Sequence, residues 1–279
     1  MNVSRRVLLA ATALVLPTVL SGSAKAAGIT LKGSDTMVIL GQRWAEEYMK
    51  KKPDTAIQVT GGGSGTGISA LINGTTDICQ ASRAMKDAEK EKAQERYKMP
   101  VTEIPVAKDG LSVYVGDANP ITALDLDQLK QIFTGKVTNW KELGGPDAKI
   151  IVYSRENSSG TYVFFKEHVL GGADYTPRAQ TMPGTAAVVN AVTKEKFGIG
   201  YGGAAYAKGL KILKIKKDAK SPGVLPELAN IKDGSYALSR PLFFYTGTKP
   251  SGEIKSFVDW VLSKEGQEVV TKVGYFPVK

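Results

Sequence analysis

The 279-residue chain has one cysteine, Cys79, and one histidine, His168. A lone cysteine excludes an internal disulfide framework and any site built on several thiolates. A lone histidine leaves no basis for a His-rich zinc or iron centre, so no metal and no cofactor is expected. Long apolar runs are scarce too. The longest, Val7–Leu20, falls short of the ~20 residues that a membrane helix needs. Catalytic signatures are missing as well. Ser64 has Gly62 before it but Thr66 after it, so the nucleophile motif G-x-S-x-G is not met. No G-x-x-x-x-G-K-[ST] segment exists, and no paired carboxylates are discernible by spacing. No catalytic residue is therefore assigned.

Apolar residues make up 42% of the chain and charged residues 23%, which is ordinary globular usage and excludes wholesale disorder. The formal net charge is +10. Glu89–Lys98 mixes both signs and reads as a solvated helix face. No basic stripe is interleaved with aromatics, so nucleic acid is not an expected partner.

Residues 1–26 read as an address. Arg5 and Arg6 precede the apolar run, and Ala24-Lys25-Ala26 is a small-x-small cleavage site, the pattern of a secretory signal peptide. Ser4-Arg5-Arg6-Val7-Leu8-Leu9 also fits a twin-arginine export signal. Cleavage after Ala26 removes Arg5, Arg6 and Lys25 and no acidic residue, so the net charge falls from +10 to +7. Cys79 would then enter an oxidising compartment without a partner, and is expected buried beside Ile78 as a small hydrophobe.

Beyond the address, strands and helices alternate, which argues an α/β fold. Strands are expected at Ile29–Lys32, Ala56–Thr60, Asp77–Ala81, Val101–Ala107, Leu111–Val115, Ile150–Tyr153 and Phe197–Tyr201. Two more, Tyr236–Ser239 and Leu242–Tyr245, flank Pro241. Helices are expected at Thr36–Lys52, Ile68–Asn73, Leu124–Phe133, Tyr162–Leu170, Ala186–Lys194, Ile254–Leu262 and Gln267–Lys272. Lys50, Lys51 and Lys52 suit a helix C-terminus, and Pro53 stops the helix. Lys208–Ala229 reads as surface loop and short strand.

One local design occurs three times: a strand ends, small hydroxyl and glycine residues follow, and a helix starts. The segments are Gly33-Ser34-Asp35-Thr36-Met37, Gly61–Gly67, and Arg155-Glu156-Asn157-Ser158-Ser159-Gly160-Thr161. Each presents backbone N–H groups beside Ser and Thr hydroxyls, an arrangement that binds an anion through fixed dipoles. Each also has a plainer reading. Ser34, Asp35, Ser158 or Ser159 would serve as an N-cap, and the glycine run as a flexible turn. Repetition favours the anion reading, as do Arg155 and Arg83, each following a strand end. A guanidinium fork can make paired bonds to two oxygens of a tetrahedral oxyanion. Gly65-Thr66-Gly67-Ile68-Ser69-Ala70 formally fits a dinucleotide fingerprint, but the next strand ends in Ser82-Arg83 rather than an acidic residue.

At these residues the chain resembles the phosphate-binding proteins of phosphate-specific ABC importers, the PstS family in its shorter form. The resemblance runs in order through Gly33-Ser34-Asp35-Thr36, Gly63–Gly67, Ala81-Ser82-Arg83, Leu129–Gly135, Asn139-Trp140, Arg155–Thr161, Gly198-Ile199-Gly200-Tyr201 and Gly274-Tyr275-Phe276-Pro277. It implies an α/β two-lobed periplasmic binding protein, each lobe a mixed sheet flanked by helices, with two crossovers. Residues 27–109 and 240–279 would form one lobe and 110–239 the other. It implies a monomeric, non-catalytic protein that captures inorganic phosphate in the cleft and delivers it to inner-membrane permease subunits. Carried over by position, Ser34, Thr36 and Ser64 are hydroxyl donors, and Met37 is a backbone donor. Ser82 and Arg83 line the first lobe. Arg155, Ser159, Gly160 and Thr161 are the clamp of the second. Longer members place an aspartate at the position of Arg83, where it accepts the proton of phosphate. Here Asp35, Asp77 and Glu156 are the candidate acceptors. The alternatives are a binding protein for sulfate, molybdate or tungstate, and a secreted phosphoester hydrolase.

Overall fold

The computed structural model describes residues 28–278. The export address expected at residues 1–26 lies outside the described residues. Among the described residues no helix is long and apolar enough to cross a membrane.

Two five-stranded sheets organise the chain. The first is built from β1 (Gly28–Gly33), β2 (Ala56–Thr60), β3 (Ile78–Ala81), β4 (Thr102–Gly110) and, from the far end of the sequence, β12 (Ser239–Thr246). Its order is β2-β1-β3-β12-β4. The first three strands run parallel, and β12 is antiparallel to both of its neighbours. The second sheet is built from β5 (Ser112–Val115), β7 (Ile151–Arg155), β8 (Gln180–Met182), β9 (Gly198–Gly202) and β10 (Lys211–Ile212), in the order β10-β5-β9-β7-β8. A small two-stranded sheet pairs β6 (Ala123–Asp125) with β11 (Lys214–Lys216). The chain thus leaves the first sheet after β4 and returns to it at β12, which gives two lobes and two crossovers.

Helices α1 (Val38–Lys51), α2 (Ser64–Ile72), α3 (Asp87–Tyr97), α8 (Gly252–Leu262) and α9 (Lys264–Val273) belong to the first lobe. The second lobe carries α4 (Leu126–Thr134), α5 (Gly160–His168), α6 (Thr185–Lys194) and α7 (Leu228–Lys232). Helix α1 turns Leu40, Trp44 and Tyr48 inward at helical spacing. There Trp44 packs edge-on against Phe244, and its indole N–H donates to Gly266 O at 2.8 Å. The second lobe is centred on Phe133, Phe165 and Tyr201, the last two stacked with centroids 4.2 Å apart.

Three local expectations differ from the structure. The glycine loop was expected to run to Gly67, yet α2 already begins at Ser64. Gly67 is glycine because the helix crosses the end of β1, where an added Cβ would lie 2.4 Å from Lys32 O. Of the two strands expected on either side of Pro241, Tyr236–Ser239 is turn up to Leu238, and a single strand, β12, runs from Ser239 through Pro241 to Thr246. Pro241 pairs only with Lys108 on β4, and the β3 ladder starts at Phe243, so no hydrogen bond is lost. The helix expected at Leu124–Phe133 begins two residues late, at Leu126. Asp125 ends β6 and caps α4, accepting from Gln128 N at 2.8 Å.

Candidate functional site

Ligands of open α/β sheets gather outside the carboxyl ends of parallel strands. In the first lobe β1, β2 and β3 end at Gly33, Thr60 and Ala81, and Ser34, the glycine segment and Ser82 follow directly. In the second lobe β7 ends at Arg155, and α5 begins five residues later. The three hydroxyl-and-glycine segments therefore meet between the lobes.

Ser34 Oγ donates to Ser82 Oγ at 2.9 Å, and Ser82 N donates to Ser64 Oγ at 3.0 Å. Across the cleft, Thr36 Oγ1 and Thr161 Oγ1 lie 2.8 Å apart. Gly65 N donates to Ser158 O at 2.8 Å. An added Cβ on Gly160 would stand 2.2 Å from Ser64 Oγ and 2.8 Å from Ser82 Oγ. The lobes are thus closed on one another. Ser34, Thr36, Ser64, Ser82, Ser159 and Thr161 are all buried. Cut off from bulk solvent, each hydroxyl must find its partner in the protein, in an enclosed water or on a ligand.

Two members of the predicted set have local tasks. Ser159 caps α5, its Oγ accepting from Tyr162 N at 3.3 Å. That bond leaves the Gly160 and Thr161 N–H groups as first-turn donors of α5. Met37 N closes the turn onto Ser34 O at 2.9 Å.

Arg155 is nearly fully buried and serves four acceptor atoms. Nη2 donates to Asp35 Oδ2 and to Glu156 Oε1, each at 2.7 Å, while Nε reaches Glu156 Oε2 at 3.2 Å and Nη1 reaches Thr185 Oγ1 at 2.9 Å. Burial alone would push the Glu156 carboxyl up. The hydrogen bond and charge of Arg155, with backbone N–H groups of Glu156 and Gly184, outweigh this and hold it below its ordinary value.

Arg83 makes paired bonds to two oxygens, but they belong to Glu89, at 2.7 Å each. Its other bond goes to Ala84 O, and none of its bonds reaches the hydroxyl cluster. The arginine that approaches the cluster from the first lobe is Arg240, which sequence reasoning missed. It donates to Ser82 O at 3.1 Å and to Thr161 Oγ1 at 2.9 Å. The available signal was slight: Asp109 and Arg240 are charged residues near strand ends, beside Lys108 and Ser239. Thr185 was missed too. It opens α6 with no motif of its own.

Of the three carboxylates weighed as proton acceptors, Asp77 binds Thr30 N and Thr30 Oγ1 at the opposite end of β3. Asp35 stands at the cluster with one oxygen on Arg155 and the other accepting from Gly62 N at 2.8 Å. Glu156 has both oxygens on Arg155. Around the cluster two guanidiniums face three carboxylates: Asp35, Asp109 and Glu156. The feature offered to an anion is therefore not net charge but oriented N–H and O–H groups.

Two α/β lobes joined by two crossovers, with donors converging from the strand ends of both, define a two-lobed binding protein. The chain accordingly matches the PBP superfamily domain over residues 19–265. It is 35% identical over 280 residues to the phosphate-binding protein PstS of Pseudomonas aeruginosa, covering 94% of this chain and 87% of that one. With the protein of that name from Staphylococcus aureus it shares 36% identity over 253 residues, covering 87% and 76% of the two chains. Among solved structures it superposes, with a TM-score of 0.82 and 33% identity, on a chain from Clostridium perfringens. That chain is described as a phosphate ABC transporter substrate-binding protein with bound phosphate, and the match covers 90% of this chain and all of that one. An ABC-type phosphate transport receptor from Vibrio cholerae follows at 0.71 and 30%, over 89% and 99% of the two chains. The chain belongs to the PstS family of phosphate-binding proteins.

Proposed function

We propose that the protein binds inorganic phosphate between its lobes and, after export, delivers it to the permease of an ABC transporter. It acts as a monomeric carrier, not a catalyst. The observation that carries this reading is the convergence of Thr36 and Ser64 from one lobe with Gly160 and Thr161 from the other on one buried locus, beside which Asp35 holds Arg155. Relatives named for phosphate binding support it, as does the phosphate bound to the Clostridium perfringens chain. Ser34, Ser82 and Arg240 are taken as supports of the donor set, and Ser159 as the cap that leaves α5 N–H groups available. We take residues 27–109 and 240–279 as one moving body and 110–239 as the other. Export rests on the address in residues 1–26.

The energetics suffice. Micromolar binding needs about −8 kcal/mol. Half a dozen charge-assisted hydrogen bonds of about 1.5–3 kcal/mol each exceed that before ordering and desolvation are subtracted. A ligand touching both lobes favours the closed arrangement through contacts that exist only there.

Calorimetry of the exported chain with phosphate, sulfate, molybdate and tungstate tests the reading. Phosphate alone is expected to bind at micromolar concentration or below. Preference for one of the other oxyanions would replace the assignment, and silence with all four would refute it.

A further inference from the structure

We infer that Arg240, anchored on Asp109, is a positioning residue for anion capture: it fixes the Thr161 hydroxyl as a donor and ties lobe closure to the two crossover strands. The inference rests on the phosphate-binding reading above.

Arg240 and Asp109 face each other in register on β12 and β4, the two strands by which the chain re-enters and leaves the first lobe. Arg240 Nε and Nη2 donate to Asp109 Oδ2 at 3.0 and 2.8 Å. Two further bonds leave the guanidinium, from Nη1 to Ser82 O in the first lobe and from Nη2 to Thr161 Oγ1 in the second. Asp109 is engaged on its other oxygen too, where Oδ1 accepts from Ala204 N at 3.0 Å, just beyond β9. Phe164 of α5 adds a further contact from the second lobe, its ring centroid 5.2 Å from the Arg240 guanidinium carbon. One ion pair thus touches both lobes where the chain crosses between them.

A guanidinium has five N–H donors and no lone pair to offer. In its bond with Arg240 the Thr161 oxygen must therefore accept, and its single proton must point elsewhere. The neighbour in reach is Thr36 Oγ1, 2.8 Å away across the cleft. The contact between the two threonines thereby acquires a direction. Thr161 gives, Thr36 receives, and the Thr36 proton is free to be given onward. A cation at the head of such a chain polarises each O–H after it and strengthens the bonds it donates. Arg240 and Asp109 are 2% and 0% exposed. Ion pairs buried this deeply are often matched or bettered for stability by apolar residues of similar volume. A task in ligand capture accounts for keeping this one.

The test is a double-variant cycle on the whole exported chain, with phosphate binding read by calorimetry. Thermal midpoints without phosphate check folding. Arg240→Gln is expected to weaken binding about ten- to hundredfold, the range for one charge-assisted hydrogen bond. Arg240→Lys should recover part of the loss, since an ammonium can still serve one acceptor. Thr161→Val should cost a similar factor. The double variant Arg240→Gln/Thr161→Val should bind no more weakly than the weaker single variant. Losses that multiply in the double variant would overturn the inference, because Arg240 would then not act through Thr161. So would wild-type affinity in Arg240→Gln. Should Arg240→Gln fail to fold, Asp109→Asn replaces it in the same cycle, with the same two overturning results. If the wild-type chain itself ignores phosphate, the proposed function falls and this inference with it. Normal wild-type binding beside an indifferent Arg240→Gln sinks the inference alone.

Discussion

The guanidinium of Arg155, in one lobe, donates to the carboxylate of Asp35, in the other, at 2.7 Å. The same nitrogen also reaches Glu156, and Nη1 is held by Thr185. Glu156 and Thr185 belong to the same lobe as Arg155 and orient it whether the lobes are apart or together, so less side-chain freedom remains to be lost on binding.

Removal of that group should be the most damaging single change at the site. Arg155→Ala is expected to weaken phosphate binding more than about a hundredfold, since a charged donor in a buried place is lost. Lys220→Ala, an exposed change, should stay within about twofold. Arg155→Lys should not rescue, because an ammonium cannot serve Asp35, Glu156 and Thr185 from one planar fork. Calorimetry of the three variants decides it. Equal affinity in Arg155→Ala and Lys220→Ala would remove Arg155 from the site.

Gly160 tests closure apart from chemistry. Its missing Cβ leaves room for Ser64 Oγ and Ser82 Oγ, which would otherwise stand at 2.2 and 2.8 Å. Both hydroxyls belong to the opposite lobe, and Gly160 itself is the first residue of α5. Alanine suits a helix by up to about 1 kcal/mol over glycine. Gly160→Ala should therefore leave each lobe intact and obstruct their meeting. The expected result is at least a ~tenfold loss of phosphate affinity, a cost of about 1.4 kcal/mol or more. The thermal midpoint without phosphate should be unchanged and the rise on adding phosphate reduced. Undiminished affinity would show that the lobes need not approach as closely as they do here.

Much of this arrangement was legible in the amino-acid order, for a physical reason. Each donor segment lies beside the strand end that positions it, so strand, turn chemistry and helix start are neighbours in sequence. Ser34, Ser64 and Arg155 could be read that way. What escaped depended on distance along the chain. Asp109 and Arg240 are 131 residues apart and meet only because β4 and β12 pair. Arg83 looked free to face a ligand, but its partner, Glu89, sits six residues on, in a segment read as solvated. The start of α2 was missed because Gly65 and Gly67 argue against helix by propensity, whereas contact with β1 requires glycine at Gly67.

The Arg83–Glu89 pair makes stability fall in acid. Burial pushes the Glu89 carboxyl up, but the Arg83 hydrogen bond and charge, with the Lys86 backbone N–H and charge, hold it below its ordinary value of 4.5. A carboxylate whose folded pKa is depressed stabilises the fold above its unfolded pKa, and that contribution is lost as pH falls through the folded pKa. Glu156 has the same sign. Stability without phosphate should therefore be level near neutrality and decline below about pH 4.5. Glu89→Gln should start lower and decline less steeply. Denaturant midpoints between about pH 3 and pH 6 would show this. Matching slopes in variant and wild type would mean that Glu89 does not titrate as its surroundings dictate.

Cys79 offers a probe of the first lobe. It lies on β3, paired with Lys32 on one side and Tyr245 on the other, and is fully buried. Burial pushes its thiol well above the ordinary value of 9.0, and the nearby charge of Arg83 opposes this without reversing it. Thiolate is the reactive form, so the native thiol should be inert on two counts, access and ionisation. A thiol reagent at neutral pH should label the native chain at least about a thousandfold more slowly than the unfolded chain, because labelling waits for rare opening of the sheet. Phosphate should slow it further, since a ligand bound only by the native state lowers the open population. Arg155→Ala should abolish that extra protection while leaving labelling without phosphate unchanged. Rapid native labelling would mean that β3 opens without unfolding of the lobe. Phosphate protection surviving in Arg155→Ala would locate the anion away from the cleft.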